Sequence, residues 1–375
     1  MMKILMFSAD PTILDKGSSA GKKMEEYGRR VGLLNILVLL PSLGKRPRLV
    51  SLAPNVTAMG LDGKFARFFK GFFKARQMIK REKYDLLVAQ DIEHAFICWL
   101  LGTKWQMQIH ADIFSPYFAK HSFFNKMRAM LAKFLIPRAS CVRVVSERIK
   151  KSIFKTLNNH LVVQRLSVVV LPILVEPLRT SDVRLDVGRP SVFSEFDKTI
   201  LMVSRLTSEK NIGLAIDAVA EVVKKHPKTG LIIVGDGPER EALELKAKNY
   251  KLTANIKFEG WKSDVALYYK GAEIFLLTSW YEGWGMSAVE AMRHGAAVVM
   301  TDVGLAGELV ENGKNGLIVP VGDKNALIGA ISRLLENNEL RRDLIEEAAK
   351  KVQKLPLAEE YYQKMVESWQ KCANS

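Results

Sequence analysis

Two glutamates, Glu282 and Glu290, stand eight positions apart in the stretch SWYEGWGMSAVEAMRHG at 279–295. Glu282 lies in a glycine-rich segment, and Glu290 about one turn into a stretch of helical spacing. With a rise of ~1.5 Å per residue, the two carboxylates are too far apart to straddle one bond as an acid–base pair. They are expected to touch different parts of one extended ligand. Between them, the backbone N–H groups of Gly283, Trp284, Gly285, Met286 and Ser287 sit at a helix start, where unsatisfied donors and the helix dipole suit sugar hydroxyls or phosphate. Taken singly, both glutamates are ordinary, one in a turn and one on a solvated face, so the surrounding sequence must give them their meaning.

Upstream, SRLTSEKN begins where the apolar strand 199–204 ends and places Arg205 and Lys210 beside the start of a helical stretch. Two cations at a helix N-terminus suit a diphosphate. In VGDGPE (234–239), Gly235 and Gly237 let backbone come close to a ligand, although the third glycine of a dinucleotide fingerprint is missing. Trp261, closing NIKFEGW, joins the candidate ligand-binding residues. No His/Cys/Asp cluster has metal-ligand spacing, and HAD at 110–112 is too little to make one. With cations available for a diphosphate, no metal is expected.

These residues need a frame that gathers them. Apolar runs alternate with helical spacing throughout the second half: TILMVSRL with NIGLAIDAVAEVVKKH, GLIIVGDG with PEREALELKAKNY, NIKFEGW with SDVALYYKGA, EIFLLTS with SAVEAMRHG, AAVVMTDVG with LAGELVENG, and NGLIVP before DKNALIGAISRLLEN. That order predicts a parallel sheet with helices on both faces. KILMFSA, NILVLLP, YDLLVAQ, WQMQIHA and CVRVVS read likewise in the first half, and 171–198, with three prolines and no periodicity, reads as a linker. A chain of 375 residues exceeds what one core fills. Two Rossmann-like domains are expected, 1–180 and 181–355, with a final helical segment, 356–375, carrying Tyr361, Met365 and Trp369 along one side. Doubly wound sheets bind ligands at the carboxyl ends of their strands, so the two domains are expected to face each other across a cleft.

Charge divides the halves. Residues 1–190 hold 32 Lys/Arg against 14 Asp/Glu and the remainder 24 against 26, within a formal net charge of +16. An anionic partner is implied for the first half alone: nucleic acid, an acidic membrane surface or a phosphorylated substrate. In KFARFFKGFFKARQMIKREK (64–83), Phe65, Phe68, Phe69, Phe72 and Ile79 fall on one helical face, and Lys64, Arg67, Lys70, Lys74 and Arg81 on the other. Most of the phenylalanines are expected to pack on the domain's own sheet. The cations are left for an anionic membrane interface, at about 1 kcal/mol each. Nothing is long enough to span a bilayer, since the longest apolar runs reach about ten residues against the roughly 20 required. Cys98, Cys141 and Cys372 cannot all pair, share no CxxC spacing and follow no signal peptide, which fits a reducing cytoplasm. Nucleic-acid binding is disfavoured by the lack of an RNA-binding motif, and a nicotinamide dehydrogenase by the incomplete GxGxxG.

Arg205, Lys210, VGDGPE and the Glu-x7-Glu element, in that order in one parallel domain, resemble the donor domain of the GT-B, family 4 retaining glycosyltransferases. AVVMTDVG and ELVENGKNGLIVPVGD are similar as well. The resemblance implies that Arg205 and Lys210 hold the diphosphate of a UDP- or GDP-sugar, Glu282 and the amides after it the donor hexose, and Glu290 the ribose. It implies retention, with the leaving phosphate accepting the acceptor's proton, and a last helix that crosses back to the N-terminal domain. GSSAGKKMEEYG (17–28) stands where the family has a double-glycine loop near the donor phosphates. Ser18 replaces the second glycine, so Gly17, Ser18 and Ser19 are donor-side candidates. His110 matches the family's histidine facing the donor sugar, although a lone histidine at a strand end is more often structural. Joined to the basic first half, the resemblance points to a cytoplasmic enzyme, peripheral to the inner face of the plasma membrane, with a lipid-linked or glycolipid acceptor. A soluble transferase with a small or phosphorylated acceptor is the same-fold alternative.

Overall fold

The computed structural model describes residues 1–158, 165–175 and 191–375. They form two compact units, Met1–Pro172 with Ala358–Ser375, and Ile173–Leu357. The boundary expected at 180/181 and much of the expected linker lie outside the described residues.

The first unit is built on β1 (Lys3–Ser8), β2 (Leu33–Leu40), β3 (Leu49–Ala53), β4 (Val56–Asp62), β5 (Leu86–Ala89), β6 (Trp105–Ile109), β7 (Cys141–Val144) and β8 (Val168–Val170), in the sheet order β3-β4-β2-β1-β5-β6-β7-β8. Only β3 runs antiparallel to its neighbour among these described strands. β1 and β5 are almost wholly buried, the condition under which strands read as continuous apolar runs. The β3–β4 hairpin was not expected; LVSLA is a short, half-exposed edge strand. Chain reversal from β2 and β4 on one side to β5 on the other makes β1/β5 a topological switch point.

The second unit holds β9 (Lys198–Val203), β10 (Thr229–Val234), β11 (Ile256–Gly260), β12 (Ile274–Leu277), β13 (Ala297–Thr301) and β14 (Leu317–Val319), all parallel, in the order β11-β10-β9-β12-β13-β14. This is the Rossmann order, with its switch point between β9 and β12. Ile200, Met202, Leu231, Ile233 and Leu276 from the strands pack with Ala215, Val219 and Val222 from the helix Ile212–Lys225. At about 1.5–3 kcal/mol for each large aliphatic side chain buried, this layer fixes where each strand ends and hence where its loop begins. One expectation fails here: 305–313, read as a helix, forms turns with isolated bridges Ala306–Val310 and Asn312–Gly316. Gly307 within it adopts a φ of +79°, a conformation a helix interior does not accommodate.

The helix Ala358–Asn374 packs within the first unit. The sheet meets it with polar residues: Gln106 and Gln108 of β6 stand in register with Cys141 and Arg143 of β7. The Gln106 side-chain amide donates to Ser368 Oγ at 2.7 Å, and Cys141 is disulfide-bonded to Cys372. The reading of the cysteines as those of a reducing compartment did not foresee this bond. Its partners are 231 residues apart and belong to no short motif, so only folding brings them together. Cys98 is free and buried.

A second correction concerns the helix Ala66–Arg81. It buries Gly71 and Ala75, and a Cβ at Gly71 would lie 2.8 Å from Leu39 Cδ1. Its small residues make the close approach to the sheet. Phe68 and Phe72 flank that contact half-buried, while Phe65, Phe69 and Phe73 point outward, 75%, 69% and 62% exposed. The expected packing of most of these aromatics on the sheet does not occur.

Candidate functional site

The most chemically specific geometry lies at the switch point of the second sheet. The chain leaves β9 through Arg205, makes one 3-10 turn at Ser208–Lys210, and enters the helix Ile212–Lys225 through Asn211 in the left-handed conformation. From the adjacent β12, the Thr278 hydroxyl donates to the carbonyls of Lys210 and Asn211 at 2.9 and 3.0 Å, and the Trp280 N–H donates to the Glu209 carbonyl at 2.8 Å. The two strand ends are thereby stitched together. Lys210 Nζ reaches Glu282 Oε1 at 2.6 Å with both side chains mostly buried, and Ser279 Oγ donates to the same oxygen at 2.8 Å. A cation suited to phosphate and a carboxylate suited to sugar hydroxyls therefore sit side by side. That is the spacing a ligand requires when its sugar is bonded directly to its phosphate.

Arg205 stands further out, its guanidinium 3.2 Å from Glu209 Oε1 and its side chain 75% exposed. Burial opposes ionisation of Glu209, but the Thr207 hydroxyl, the Glu209 backbone N–H and the Arg205 charge hold its carboxyl below the ordinary value. Glu209 was not expected among the site residues. Its signal in the sequence was its position between the two cations.

Glu290 lies in the helix Met286–Arg293, and its Oε2 accepts from the Tyr269 hydroxyl at 2.8 Å. Tyr269 is fully buried. Burial, then the nearby Glu290 charge, push its hydroxyl well above the usual range, so it remains a donor and fixes the carboxylate. Tyr269 lies in SDVALYYKGA, where nothing but the fold connects it to Glu290. The same helix starts at Gly285, with φ +100° and no side-chain cap. The N–H groups of Met286 and Ser287 are thus left without a capping side chain. Gly283 and Trp284 are buried, and the Trp284 carbonyl accepts from the Leu305 N–H at 2.8 Å. Gly304, also unforeseen, closes this loop: a Cβ there would come within 2.4 Å of the Trp284 carbonyl oxygen and 2.9 Å of Glu282 Cβ.

The turn after β10 packs closely on the loop beside it. A Cβ at Gly235, whose φ is +135°, would lie 1.8 Å from the Ser204 carbonyl oxygen, and one at Gly237 2.4 Å from that of Leu206. On their Cβ side these glycines admit the neighbouring loop. The Leu206 N–H donates to the Asp236 carbonyl at 2.9 Å and the Glu239 N–H to the Leu206 carbonyl at 3.0 Å, so the turn braces the segment that carries Arg205. Trp261 stands exposed after β11, and no hydrogen bond or ring contact among the described residues ties it to Lys210 or Glu282.

In the first unit, Ser18 caps the helix Ser19–Gly28. Its Oγ accepts from the Gly21 N–H at 2.9 Å and donates to the Thr12 carbonyl at 2.6 Å. The hydroxyl is committed locally, while Gly17 (φ +82°) and Ser19 are exposed. His110 follows β6 and is exposed. Desolvation by surrounding protein, then the Arg143 and Lys23 charges, push its imidazole below the ordinary value of 6.5 against the opposing pull of Asp91. Among the described residues, no group of three His, Cys, Asp or Glu could hold a metal ion, and no helix is long and apolar enough to cross a membrane.

Comparison with known proteins places this geometry. Residues 188–351 match the family of glycosyl transferases group 1. The chain is 26% identical over 254 residues to the alpha-monoglucosyldiacylglycerol synthase of Streptococcus pneumoniae, covering 64% of this chain and 56% of that protein. It spans about half the length of the curated relatives it matches. Among solved structures, sucrose-phosphate synthase from Thermosynechococcus elongatus superposes with a TM-score of 0.80 at 20% identity over 100% of both chains. HepE of Anabaena, solved in complex with UDP-glucose, superposes with a TM-score of 0.73 at 21% identity over 98% of this chain and 99% of that one. The two Rossmann-like units are thus those of the GT-B fold, and residues 188–351 carry the likeness to the glycosyl transferases group 1.

Proposed function

We propose that this chain is a retaining glycosyltransferase that moves a hexose or hexose derivative from a UDP- or GDP-sugar to a lipid-linked or glycolipid acceptor at the cytoplasmic face of the membrane. The observation that carries the reading is the Lys210–Glu282 pair at the β9/β12 switch point. Lys210 and Arg205 take the diphosphate, Glu282 and the uncapped N–H groups of Met286 and Ser287 the hexose, and Glu290, oriented by Tyr269, the ribose. In the reaction, an acceptor hydroxyl attacks the anomeric carbon on the face the diphosphate leaves. The bond from that carbon to the phosphate oxygen breaks, and the leaving phosphate takes the hydroxyl proton. Negative charge grows on the diphosphate, where the two fixed cations stabilise it; no metal is invoked. The Streptococcus relative, named for glycolipid synthesis, and the basic first half support a lipid acceptor.

The test is thermal stabilisation by a panel of nucleotide sugars. A true donor at 100 times its Kd stabilises the protein by about 2.7 kcal/mol, and Lys210→Ala is expected to lose most of that shift. If no UDP- or GDP-sugar shifts the wild-type protein, the donor reading is wrong.

A further inference from the structure

The first unit carries a surface that its own fold leaves uncovered. Three helices lie side by side there: Ala66–Arg81 against Ile92–Leu101, and Ile92–Leu101 against Phe123–Leu135. On the first, Phe65, Phe69 and Phe73 recur every fourth residue along the outward face. On the third, Phe123, Phe124, Met127 and Met130 are exposed at helical spacing. The middle helix joins them: Phe96 meets Trp99 with ring centroids 5.6 Å apart, and Trp99 meets Phe134 edge-on at 5.0 Å.

Single exposed apolar residues need no explanation, but contiguous patches beyond a few hundred Å² mark interaction sites. Five of these phenylalanines are more than half exposed. At about 150–250 Å² for each aromatic side chain when buried, they alone reach that size. The charges around them have one sign. Ala66–Arg81 and Phe123–Leu135 together hold nine Lys/Arg and no Asp/Glu, and the one carboxylate on the middle helix, Glu93, is paired with Arg128 at 2.5 Å.

We infer that this three-helix face inserts into the headgroup–acyl boundary of an anionic bilayer, the aromatic and methionine side chains entering the apolar layer while the flanking cations meet lipid phosphates. The inference deepens the reading of a lipid-linked acceptor and rests on it. It also assigns the attachment to the outward aromatics as well as to the cations. Nucleic acid fits less well, because Met127 and Met130 offer no face on which a base can stack. A second copy of the chain fits less well too, because an isologous contact would set like-charged rims against each other.

The test floats the full chain with vesicles of phosphatidylcholine alone and of an equimolar phosphatidylcholine–phosphatidylglycerol mixture. The wild type is expected to float with the mixture and retain part of its binding at high salt. Phe69→Ser with Phe73→Ser, or Phe124→Ser with Met127→Ser, should lower the partition coefficient about tenfold with an unchanged Tm. Arg76→Gln with Lys80→Gln should remove only salt-sensitive binding. Phe124→Trp should gain fluorescence that brominated acyl chains quench. The inference is overturned if the serine variants float as well as wild type. It is equally overturned if the wild type ignores vesicles but binds RNA, or if it is a dimer that those variants dissociate. Nucleotide-sugar stabilisation of the same preparations reads the second unit separately, so failure of the transferase reading and failure of this surface give different results.

Discussion

In the second unit, the charges that could do chemistry are drawn inward. Lys210 and Glu282 are each less than one-fifth exposed and sit 2.6 Å apart at the ends of adjacent strands. In the first unit, comparable charge is spread outward over helices whose cations bond little beyond their own surface. Lys70 reaches the Asp62 carbonyl at 2.7 Å and Lys74 the Gln77 side chain at 3.1 Å, while Arg67 lies over the Phe68 ring. The difference is one of dielectric. A charge fixed in a partly dry site acts strongly and over a short range on whatever is placed against it. Exposed charges are individually weak and screened by salt, and act as a sum over a surface. One arrangement suits recognition of a particular diphosphate sugar, the other attraction to an extended anionic face.

Breaking the inward arrangement should cost most. Lys210→Ala is expected to lower kcat about 10²–10³-fold, as removal of a fixed donor from a developing anion does elsewhere. Arg205→Ala, whose guanidinium is exposed, should lose less, though more than threefold in kcat/KM. Steady-state kinetics rank the two. An effect of Lys210→Ala no larger than that of exposed Lys224→Ala would remove the pair from the chemistry.

Gly235→Ala tests whether the β10 turn is a brace. A Cβ 1.8 Å from the Ser204 carbonyl oxygen at φ +135° forces the loops apart, so a loss of about 3 kcal/mol in stability is expected. Chemical denaturation measures it, and a neutral result would return Gly235 to the role of admitting ligand.

The two glutamates sharpen the comparison within the site. Glu290→Gln, remote from the breaking bond, should chiefly raise donor KM, by about tenfold, and Glu282→Gln should chiefly lower kcat. The reverse pattern would show their roles exchanged.

The smallest effect concerns His110. Its imidazole is pushed below 6.5 by desolvation and by the Arg143 and Lys23 cations, which disfavour a further positive charge. Protonation therefore requires a lower pH, and kcat/KM should stay level as pH falls through 6.5. A decline centred there, absent in His110→Asn, would show an ordinary imidazole.

The parallel strands of the second unit and the basic character of the first half were legible in the residues themselves, whereas the Lys210–Glu282 contact was not. Buried parallel strands must be continuously apolar, left-handed turns favour glycine, and charge is a property of composition. The helix Ala66–Arg81 shows where legibility ends. Its spacing gave amphipathicity, but Gly71 and Ala75, not the phenylalanines, were chosen for the sheet, because close packing selects by shape as well as by hydrophobicity. The same limit hid the turns at 305–313, Gly304 behind Glu282, Tyr269 beneath Glu290 and the union of Cys141 with Cys372. Local pattern determined most of the parallel strands and helices and which end of each sheet carries reactive groups. Only the tertiary structure decided which side chains meet, since contacts between residues far apart in sequence depend on the packed geometry of several elements at once, and no single segment encodes that geometry.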